Sequence, residues 1–274
     1  MHPIGISSCA YALTDENFEA LKQSGVDAAE VALKLDGQLA LDCKEVAALA
    51  ARHGIRLWSY HLPFSPFRLI DISSTDAEVR KYTLDTLTTL LKNAAAVGID
   101  KFVIHASGEP IEDAQREERI KHSMESLDFL AELAAREGAV IAVEDLPRTC
   151  LGNTAKEILR LISANEKLRI CFDTNHLLKE DNVGFVEAVG EKIITLHVSD
   201  YDFIDEKHWL PGEGLNDWSA IYSALQKVNY QGAWIYELGR KAPKTLPRSR
   251  ELTFEDYVRN AREIFAGAPL TRIE

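Results

Sequence analysis

Short apolar segments alternate eight times with segments of helical periodicity along this chain of 274 residues. The apolar segments are nearly continuous hydrophobic runs, which is typical of strands that are covered on both faces. Strict alternation of strands and helices predicts a parallel sheet, and eight repeats predict an α/β fold closed into a barrel. The predicted strands span residues 3–9, 27–33, 55–61, 101–106, 139–145, 168–173, 193–199 and 233–238.

The segments between the predicted strands carry apolar residues three and four positions apart, which favours helices packed on a sheet. Gly25, Gly54, Gly98 and Gly138 follow predicted helices and lead into strands, as turns of this kind require. No linker interrupts the pattern, so we expect one (β/α)8 TIM-barrel domain over residues 1–274. In the helix before Gly98, the predicted buried stripe consists of Val79, Tyr82, Leu87, Leu90, Leu91, Ala94 and Ala95.

The charge of the chain argues against one class of partner. The formal net charge is −12, whereas a general nucleic-acid binder normally presents a basic surface. We therefore expect no nucleic-acid partner. The one dense basic run, RKAPKTLPRSR at residues 240–250, is typical of a solvated loop.

The chain shows no sequence feature of a membrane or disulfide-rich protein. No apolar stretch reaches the length of about 18 residues that a membrane span needs, and the first residues do not resemble a signal peptide. The four cysteines have neither CxxC spacing nor the pattern of a small secreted domain, so we expect reduced thiols. These features predict a cytoplasmic protein with no membrane partner.

Six of the predicted strands end on a histidine or a carboxylate. In a barrel of this kind, the carboxyl ends of the strands and the loops that follow them form the active-site face. Because a buried charge without a partner is costly, the recurrence of such residues at the same place predicts that they meet at one point. The six residues, on predicted strands three to eight, are His61, His105, Glu144, Asp173, His197 and Glu237.

Four of these residues suit a metal ion. Glu144, Asp173, His197 and Glu237 lie on four successive strands. Three carboxylates and one imidazole suit one divalent ion, Mn²⁺, Mg²⁺, Co²⁺ or Zn²⁺, with room left for substrate oxygens. The alternative for each residue taken singly is a buried polar group satisfied by hydrogen bonds. The joint pattern favours a shared metal site, and we expect no organic cofactor.

A second set of histidines, His61, His105, His176 and His208, is predicted to lie around the same pocket. These residues are candidates for binding substrate hydroxyls. The alternatives are ligation of further metal ions, or histidines with backbone partners. Glu30, inside the second predicted strand, is expected to have a structural or supporting role rather than a catalytic one.

Several motifs together resemble the xylose isomerase-like barrel superfamily: VEDL, FDTNH, LHVSD, HWLPGEG followed by DW, and YELG. This superfamily includes tagatose/psicose epimerases and other sugar isomerases, inosose dehydratase and related lyases, and endonuclease IV-type apurinic endonucleases. The resemblance covers nearly the whole chain. It implies a TIM barrel, a small sugar or sugar derivative as substrate, and an assembly that can be a homo-oligomer.

The resemblance to the epimerases implies roles for single residues. Glu144, Asp173, His197 and Glu237 would bind one divalent metal, Glu144 and Glu237 would also form the catalytic acid/base pair, and His176 would contact substrate hydroxyls. Such epimerases often carry an arginine in the loop after strand seven, but this chain has none between His197 and Trp218. Substrate contacts are therefore expected to differ there.

The resemblance to the endonucleases implies a larger metal site. The positions matching His61, His105 and His176, together with the four expected metal ligands, take part in a three-zinc site in those enzymes. Their loop after strand seven also supplies an aspartate and a histidine two residues apart. Here Asp205 and His208 are three apart, which argues against a third zinc ion.

The function that we predict is a divalent-metal-dependent isomerase or epimerase of a sugar or sugar derivative. The metal would stabilise an enediolate, Glu144 would remove the proton next to the carbonyl, and Glu237 would be its partner. A lyase or dehydratase acting on a keto-sugar or cyclitol would use the same site. An apurinic endonuclease and a barrel that binds sugar without catalysis are the remaining alternatives.

Overall fold

A computed structural model describes residues 2–273 of the chain. Its parallel strands occur where the apolar runs predict them, and each bound lies within two residues of the predicted one. The strands are β1 (Ile4–Ser7), β2 (Ala28–Ala32), β3 (Arg56–His61), β4 (Lys101–His105), β5 (Val140–Glu144), β6 (Arg169–Asp173), β7 (Ile193–His197) and β8 (Trp234–Tyr236).

The strands form a barrel that is nearly closed. They are hydrogen-bonded in the order β7-β6-β5-β4-β3-β2-β1-β8, and every pair is parallel. The last gap is bridged just beyond β7, where the Val198 N–H donates to the Ile235 carbonyl at 2.8 Å and the Glu237 N–H donates to the Val198 carbonyl at 3.2 Å. The predicted TIM-barrel fold is therefore confirmed.

The helices surround the barrel, and their ends carry the expected signals. Thr14, Asp42 and Asp76 cap helix N-termini by accepting backbone N–H groups, and Gly25 and Gly54 end helices in the left-handed region. The helices are α1 (Asp15–Ser24), α2 (Leu35–Leu39), α3 (Cys43–His53), α4 (Ala77–Ala95), α5 (Arg116–Arg136), α6 (Ala155–Ile162), α7 (Asn182–Val189), α8 (Trp218–Lys227) and α9 (Phe254–Ala266).

The buried face of α4 differs from the predicted stripe. Tyr82 is 45% exposed, whereas Thr83 and Thr86 are buried among the apolar residues. The Thr83 hydroxyl donates to the Val79 carbonyl at 2.8 Å and accepts the Asp71 N–H at 3.0 Å, so it ties the loop after β3 to the helix. The predicted stripe contains apolar residues only, so it omits both threonines. Thr83 can be buried because its hydroxyl forms its hydrogen bonds locally.

The prediction of a solvated loop at residues 240–250 is wrong for one residue. The Arg248 side chain is fully buried, and its Nη2 lies 2.5 Å from Glu213 Oε2. Its Nε donates to Glu213 Oε1 at 2.8 Å, which makes the pair bidentate. A buried charge of this kind needs an opposite charge, and the partner comes from the loop after β7.

Within residues 2–273, Cys9, Cys43, Cys150 and Cys171 are free thiols, as their spacing predicts. None of the helices in this part of the chain combines the length and the apolarity needed to cross a bilayer.

The first turn of α9 depends on the buried carboxylate of Asp256. It accepts the Thr253 N–H at 2.8 Å, and Arg250 and Arg259 each reach it within 2.9 Å. Burial opposes its ionisation, but the hydrogen bonds from Arg250 and the Thr253 backbone outweigh burial and hold its pKa below the ordinary value of 3.8. The charged form of Asp256 therefore stabilises the fold.

We expect Asp256→Asn to lower the free energy of unfolding by about 1–3 kcal/mol at pH 7, because the cap and two arginines lose a charged acceptor. A depressed carboxyl pKa contributes stability that is present above the unfolded value and lost as pH falls through the folded value. The deficit should therefore stay constant from pH 7 to about pH 5 and shrink only below about pH 4. Urea unfolding at several pH values measures it, and a deficit that does not depend on pH would contradict this account.

Candidate metal and substrate site

The six polar residues at strand ends meet at one mouth of the barrel. Five of them are the last residues of β3 to β7, and the sixth directly follows β8. Their placement at the carboxyl ends agrees with the sequence analysis. The residues are His61, His105, Glu144, Asp173, His197 and Glu237.

At the centre, one imidazole nitrogen faces three carboxylates. His197 Nδ1 lies 2.8 Å from Glu144 Oε1, 3.2 Å from Glu237 Oε2 and 4.0 Å from Asp173 Oδ2. One ligand atom from each of the four residues lies within 4.8 Å of the other three. The structure therefore brings together the four predicted metal ligands.

The charges at this centre are incompletely compensated. Burial and repulsion from Glu237 and Glu144 raise the pKa of Asp173 well above its ordinary value. Burial also opposes ionisation of Glu144, but the neighbouring His197 and His105 outweigh it and lower its pKa. His197 likewise overcomes burial at Glu237 and lowers the pKa of that carboxyl.

The position of Asp173 fits a cation. Its Oδ1 accepts the Asn175 N–H at 2.7 Å, which orients the carboxylate, but its buried Oδ2 accepts no hydrogen bond in the described structure. A buried oxygen without a hydrogen bond, beside two further carboxylates and an imidazole, has the donor chemistry of a divalent metal site. These residues therefore fit the metal ion that the sequence motifs predict.

Two further histidines lie on the other side of Glu144. His61 Nε2 and His105 Nε2 each lie 3.1 Å from Glu144 Oε2, and the three residues form a second possible ligand group. Burial opposes protonation of His61, but Glu144 outweighs it and raises the pKa of His61 to about 9. Burial lowers the pKa of His105 despite the same carboxylate. The ring of Phe64 stacks on His105 with centroids 4.1 Å apart.

A third group forms at the edge of the cavity, and one of its members was missed. His176, Glu206 and His208 offer ligand atoms within 4.8 Å of one another. Asp205, the acid considered in the sequence analysis, instead pairs with Arg148 at 2.8 Å. Glu206 stands two residues before His208, which is the spacing found in the endonucleases. The sequence carries this spacing as Glu-Lys-His, with a glutamate where the endonuclease pattern has an aspartate.

Asn175 holds the loop that carries this third group. Its side-chain oxygen accepts the N–H groups of Lys207 and His208 at 2.9 and 3.2 Å. His208 has a φ of +51°, a strained conformation for a non-glycine residue that such clamps sustain. Its Nδ1 donates to the Glu237 carbonyl at 3.0 Å. Asn175 stands within the FDTNH motif, but no sequence pattern indicates this clamp.

The glycines of the PGEG segment have a packing role. A Cβ on Gly214 would lie 2.4 Å from both Asp200 Oδ1 and the Tyr201 carbonyl, so only glycine fits there. The Asp200 carboxylate accepts hydrogen bonds from the N–H of Gly212 and from Trp218 Nε1. Because Asp200 already accepts hydrogen bonds from these donors, they are not available to bind a phosphate.

A cavity of about 320 Å³ opens directly above the carboxylates. Phe64 and Phe67 form an apolar wall, and all four histidines of the predicted substrate-binding set, His61, His105, His176 and His208, line the cavity. Arg148 crosses its rim, with Nη2 2.5 Å from Glu109 and Nη1 3.1 Å from Glu206. The cavity is therefore rich in groups that bind hydroxyls.

Comparison with known proteins agrees with this geometry. The sequence model of the xylose isomerase-like TIM barrel family matches residues 18–259. This chain belongs to that family.

Curated relatives and solved structures extend the comparison. An inosose isomerase of Bacillus velezensis is 24% identical over 217 residues, which cover 75% of each protein. An uncharacterized protein of Sinorhizobium fredii is 28% identical over 153 residues, and the match covers 52% of this chain and about half (49%) of that relative.

Two solved structures share the fold. A D-tagatose 3-epimerase-like protein superimposes with a TM-score of 0.81 at 22% identity, with 97% of each chain covered. A D-psicose 3-epimerase crystallised in the presence of D-fructose superimposes with a TM-score of 0.78, also at 22% identity, with 97% of this chain and 99% of that chain covered.

We expect Asp173→Asn to stabilise the protein in EDTA by about 1–2 kcal/mol, because it removes one of three mutually repelling buried carboxylates. The thermal midpoint should rise by roughly 2–6 °C. Asp200→Asn is the matched control. Burial also raises the pKa of Asp200, but both of its oxygens accept hydrogen bonds, and an amide NH₂ in place of one oxygen would face N–H donors, so this change should lower the midpoint. Equal effects of the two substitutions would contradict the proposed repulsion.

Proposed function

We propose that this protein is a divalent-metal-dependent isomerase or epimerase of a sugar or sugar derivative that acts by proton transfer. One observation carries the proposal: Glu144 and Glu237 flank the same nitrogen of His197 at the floor of a cavity lined by four histidines. The names of its relatives, inosose isomerase and D-psicose 3-epimerase, support the same class of reaction.

Glu144, Asp173, His197 and Glu237 would hold the cation, for which Mn²⁺, Mg²⁺, Co²⁺ and Zn²⁺ are the candidates. A cation held there would polarise the substrate carbonyl and stabilise the negative charge that develops on its oxygen. The protein supplies the remaining chemistry through its own side chains.

Proton transfer requires two carboxylates with access to the substrate. In our proposal, Glu144 removes the proton next to the carbonyl, and Glu237 is the partner that returns a proton to the product. The lowered pKa of Glu144 keeps this carboxylate ionised and able to accept the substrate proton, whereas Glu237, which is also ionised, must first take up a proton from water before it can give one to the product. Glu237 retains 16% side-chain exposure toward the cavity, which gives it access to a substrate on its side.

Three of the histidines, His105, His176 and His208, would orient the substrate from the wall of the cavity. His61 also lines the cavity, but its Nδ1 lies 2.9 Å from the Leu62 carbonyl and its Nε2 lies 3.1 Å from Glu144, so both ring nitrogens already have partners. Phe64 and Phe67 would exclude water from one side of the cavity, which strengthens the electrostatic interactions inside it.

The charge balance of the cavity favours an uncharged substrate. Arg148 is the only cationic residue among those that line it, apart from the histidines, and it is paired with Glu109, Asp205 and Glu206. A phosphate in the cavity would therefore lie near carboxylates, and the lining residues would offer it no unpaired arginine or lysine. We accordingly propose a neutral keto-sugar, keto-glycoside or inosose as the substrate.

The test is a screen of ketoses, keto-glycosides and inososes with Mn²⁺ in D₂O, followed by NMR. We expect an isomer of unchanged composition with deuterium on a carbon next to the carbonyl. Glu144→Gln and Glu237→Gln should each lower kcat by about 10²–10⁴-fold, as loss of an acid/base group does. Exposed Glu112→Gln is the control and should retain activity.

The same screen separates the alternative reaction. Loss of water from the substrate would identify a lyase or dehydratase at this site. Conversion with no solvent deuterium in the product would contradict proton exchange through the two glutamates.

We expect the phosphate ester of an accepted sugar to show a kcat/KM at least about tenfold lower, since an unfavourable charge pair of about 1.4 kcal/mol gives that factor. A neutral substituent of similar size at the same carbon is the control for steric exclusion. Equal turnover of the sugar and its phosphate would show that the cavity accepts a dianion.

Phosphodiester hydrolysis is a second candidate, favoured by the two additional ligand groups around Glu144 and His176. The net charge of −12 and the acidic rim oppose binding of DNA. Nicking of abasic DNA by the zinc-loaded protein, with sugars left unchanged, would favour this candidate over the isomerase.

A further inference from the structure

We infer that Glu30, buried on β2, is a positioning residue that turns the Nδ1 lone pair of His197 toward the cation and thereby sets the affinity of the metal centre. The inference rests on the metal centre of the proposed function. Glu30 lies outside the four-ligand group, because it contacts the far side of the His197 ring.

The contact is direct and fully buried. Glu30 Oε2 lies 3.0 Å from His197 Nε2, and both side chains have no solvent exposure. The other ring nitrogen, Nδ1, faces Glu144 at 2.8 Å. The imidazole is therefore held between a carboxylate of the centre and a carboxylate beneath it.

A cation at the centre would determine which nitrogen of His197 carries the proton. A neutral imidazole has one N–H and one lone pair, and a cation among the carboxylates requires the lone pair on Nδ1. The proton must then be on Nε2, where Glu30 accepts it. Histidines that bind metals usually donate their other N–H to such an acceptor, which fixes the tautomer and makes the ring a better ligand.

Two contacts together orient the ring. His61 stacks on His197 with an angle of 10° between the ring planes and centroids 5.5 Å apart, which fixes the plane. Stacking alone would allow the ring to turn by 180° about its Cβ–Cγ bond, which would bring Cδ2 to the position of Nδ1 and Cε1 to that of Nε2. Glu30 opposes this turn, because its carboxylate needs an N–H opposite it and would face a C–H instead.

The register of β2 places Glu30 beside the His197 ring. The pairing of β2 with β3 shifts register between Ala29 and Glu30, so that Glu30 pairs with Ser59. The Ser59 hydroxyl donates to Glu30 Oε2 at 2.7 Å, while the buried Oε1 accepts no hydrogen bond from the described residues. A carboxylate buried for stability alone would be expected to have both oxygens satisfied.

The experiment compares metal affinity in three variants. Glu30→Met removes the acceptor at similar volume, Glu30→Gln keeps one acceptor oxygen without the charge, and Thr195→Val is the control. Thr195 is buried two residues before His197 and bonds Trp58 instead. Chelator competition gives the Mn²⁺ dissociation constant, and the visible absorption of the Co²⁺-loaded protein reports the ligand geometry.

We expect the dissociation constant to rise by about 10–100-fold in Glu30→Met, the range for loss of such a partner. Glu30→Gln should fall between this variant and the wild type, and the Co²⁺ absorption should change in both. Thr195→Val should lower the thermal midpoint in EDTA and leave metal affinity and absorption unchanged.

The outcomes separate the inference from the proposed function. If the wild type binds Mn²⁺ and both Glu30 variants bind it within twofold, the positioning role is wrong and the metal centre stands. If the wild type itself binds no divalent cation, the metal centre and this inference both fail. A loss of thermal stability in the Glu30 variants without a loss of affinity would assign Glu30 a purely structural role.

Discussion

The repulsion among buried carboxylates at one barrel mouth is the constraint on which the rest of the site depends. Glu144, Asp173 and Glu237 all approach one nitrogen of His197. In water these charges would separate, but each is attached to a strand end that the barrel fixes. The hydrophobic packing of the helices around the strands therefore supplies the free energy that holds like charges together.

The strands of the barrel and the loops contribute different parts of the site. The strands supply the groups that require a fixed position, because a closed sheet allows little movement at its ends. The loops supply the residues that surround the cavity, and dedicated clamps such as Asn175 and Asp200 hold them. The strands therefore fix the groups at the floor of the cavity, and the clamped loops fix the groups around it.

The fold and the central residues could be predicted because they follow from period and position. Apolar runs mark the strands, and the residue at each carboxyl end is forced toward the same mouth. The rest depends on contacts that have no period. Glu206 could not be predicted because the conformation of the loop determines which of two adjacent acids points into the cavity. The burial of Arg248 could not be predicted because its partner, Glu213, is 35 residues away in the sequence. Thr83 was missed because its polar side chain is satisfied within its own helix and loop.

The ion pairs of Arg148 link two loops at the rim of the cavity. One guanidinium ties the loop after β4, at Glu109, to the loop after β7, at Asp205 and Glu206. These pairs are partly open to solvent, where dissolved ions weaken such attractions. We therefore expect the link between these two loops to weaken as ionic strength rises, whereas the buried groups at the floor of the cavity are screened much less.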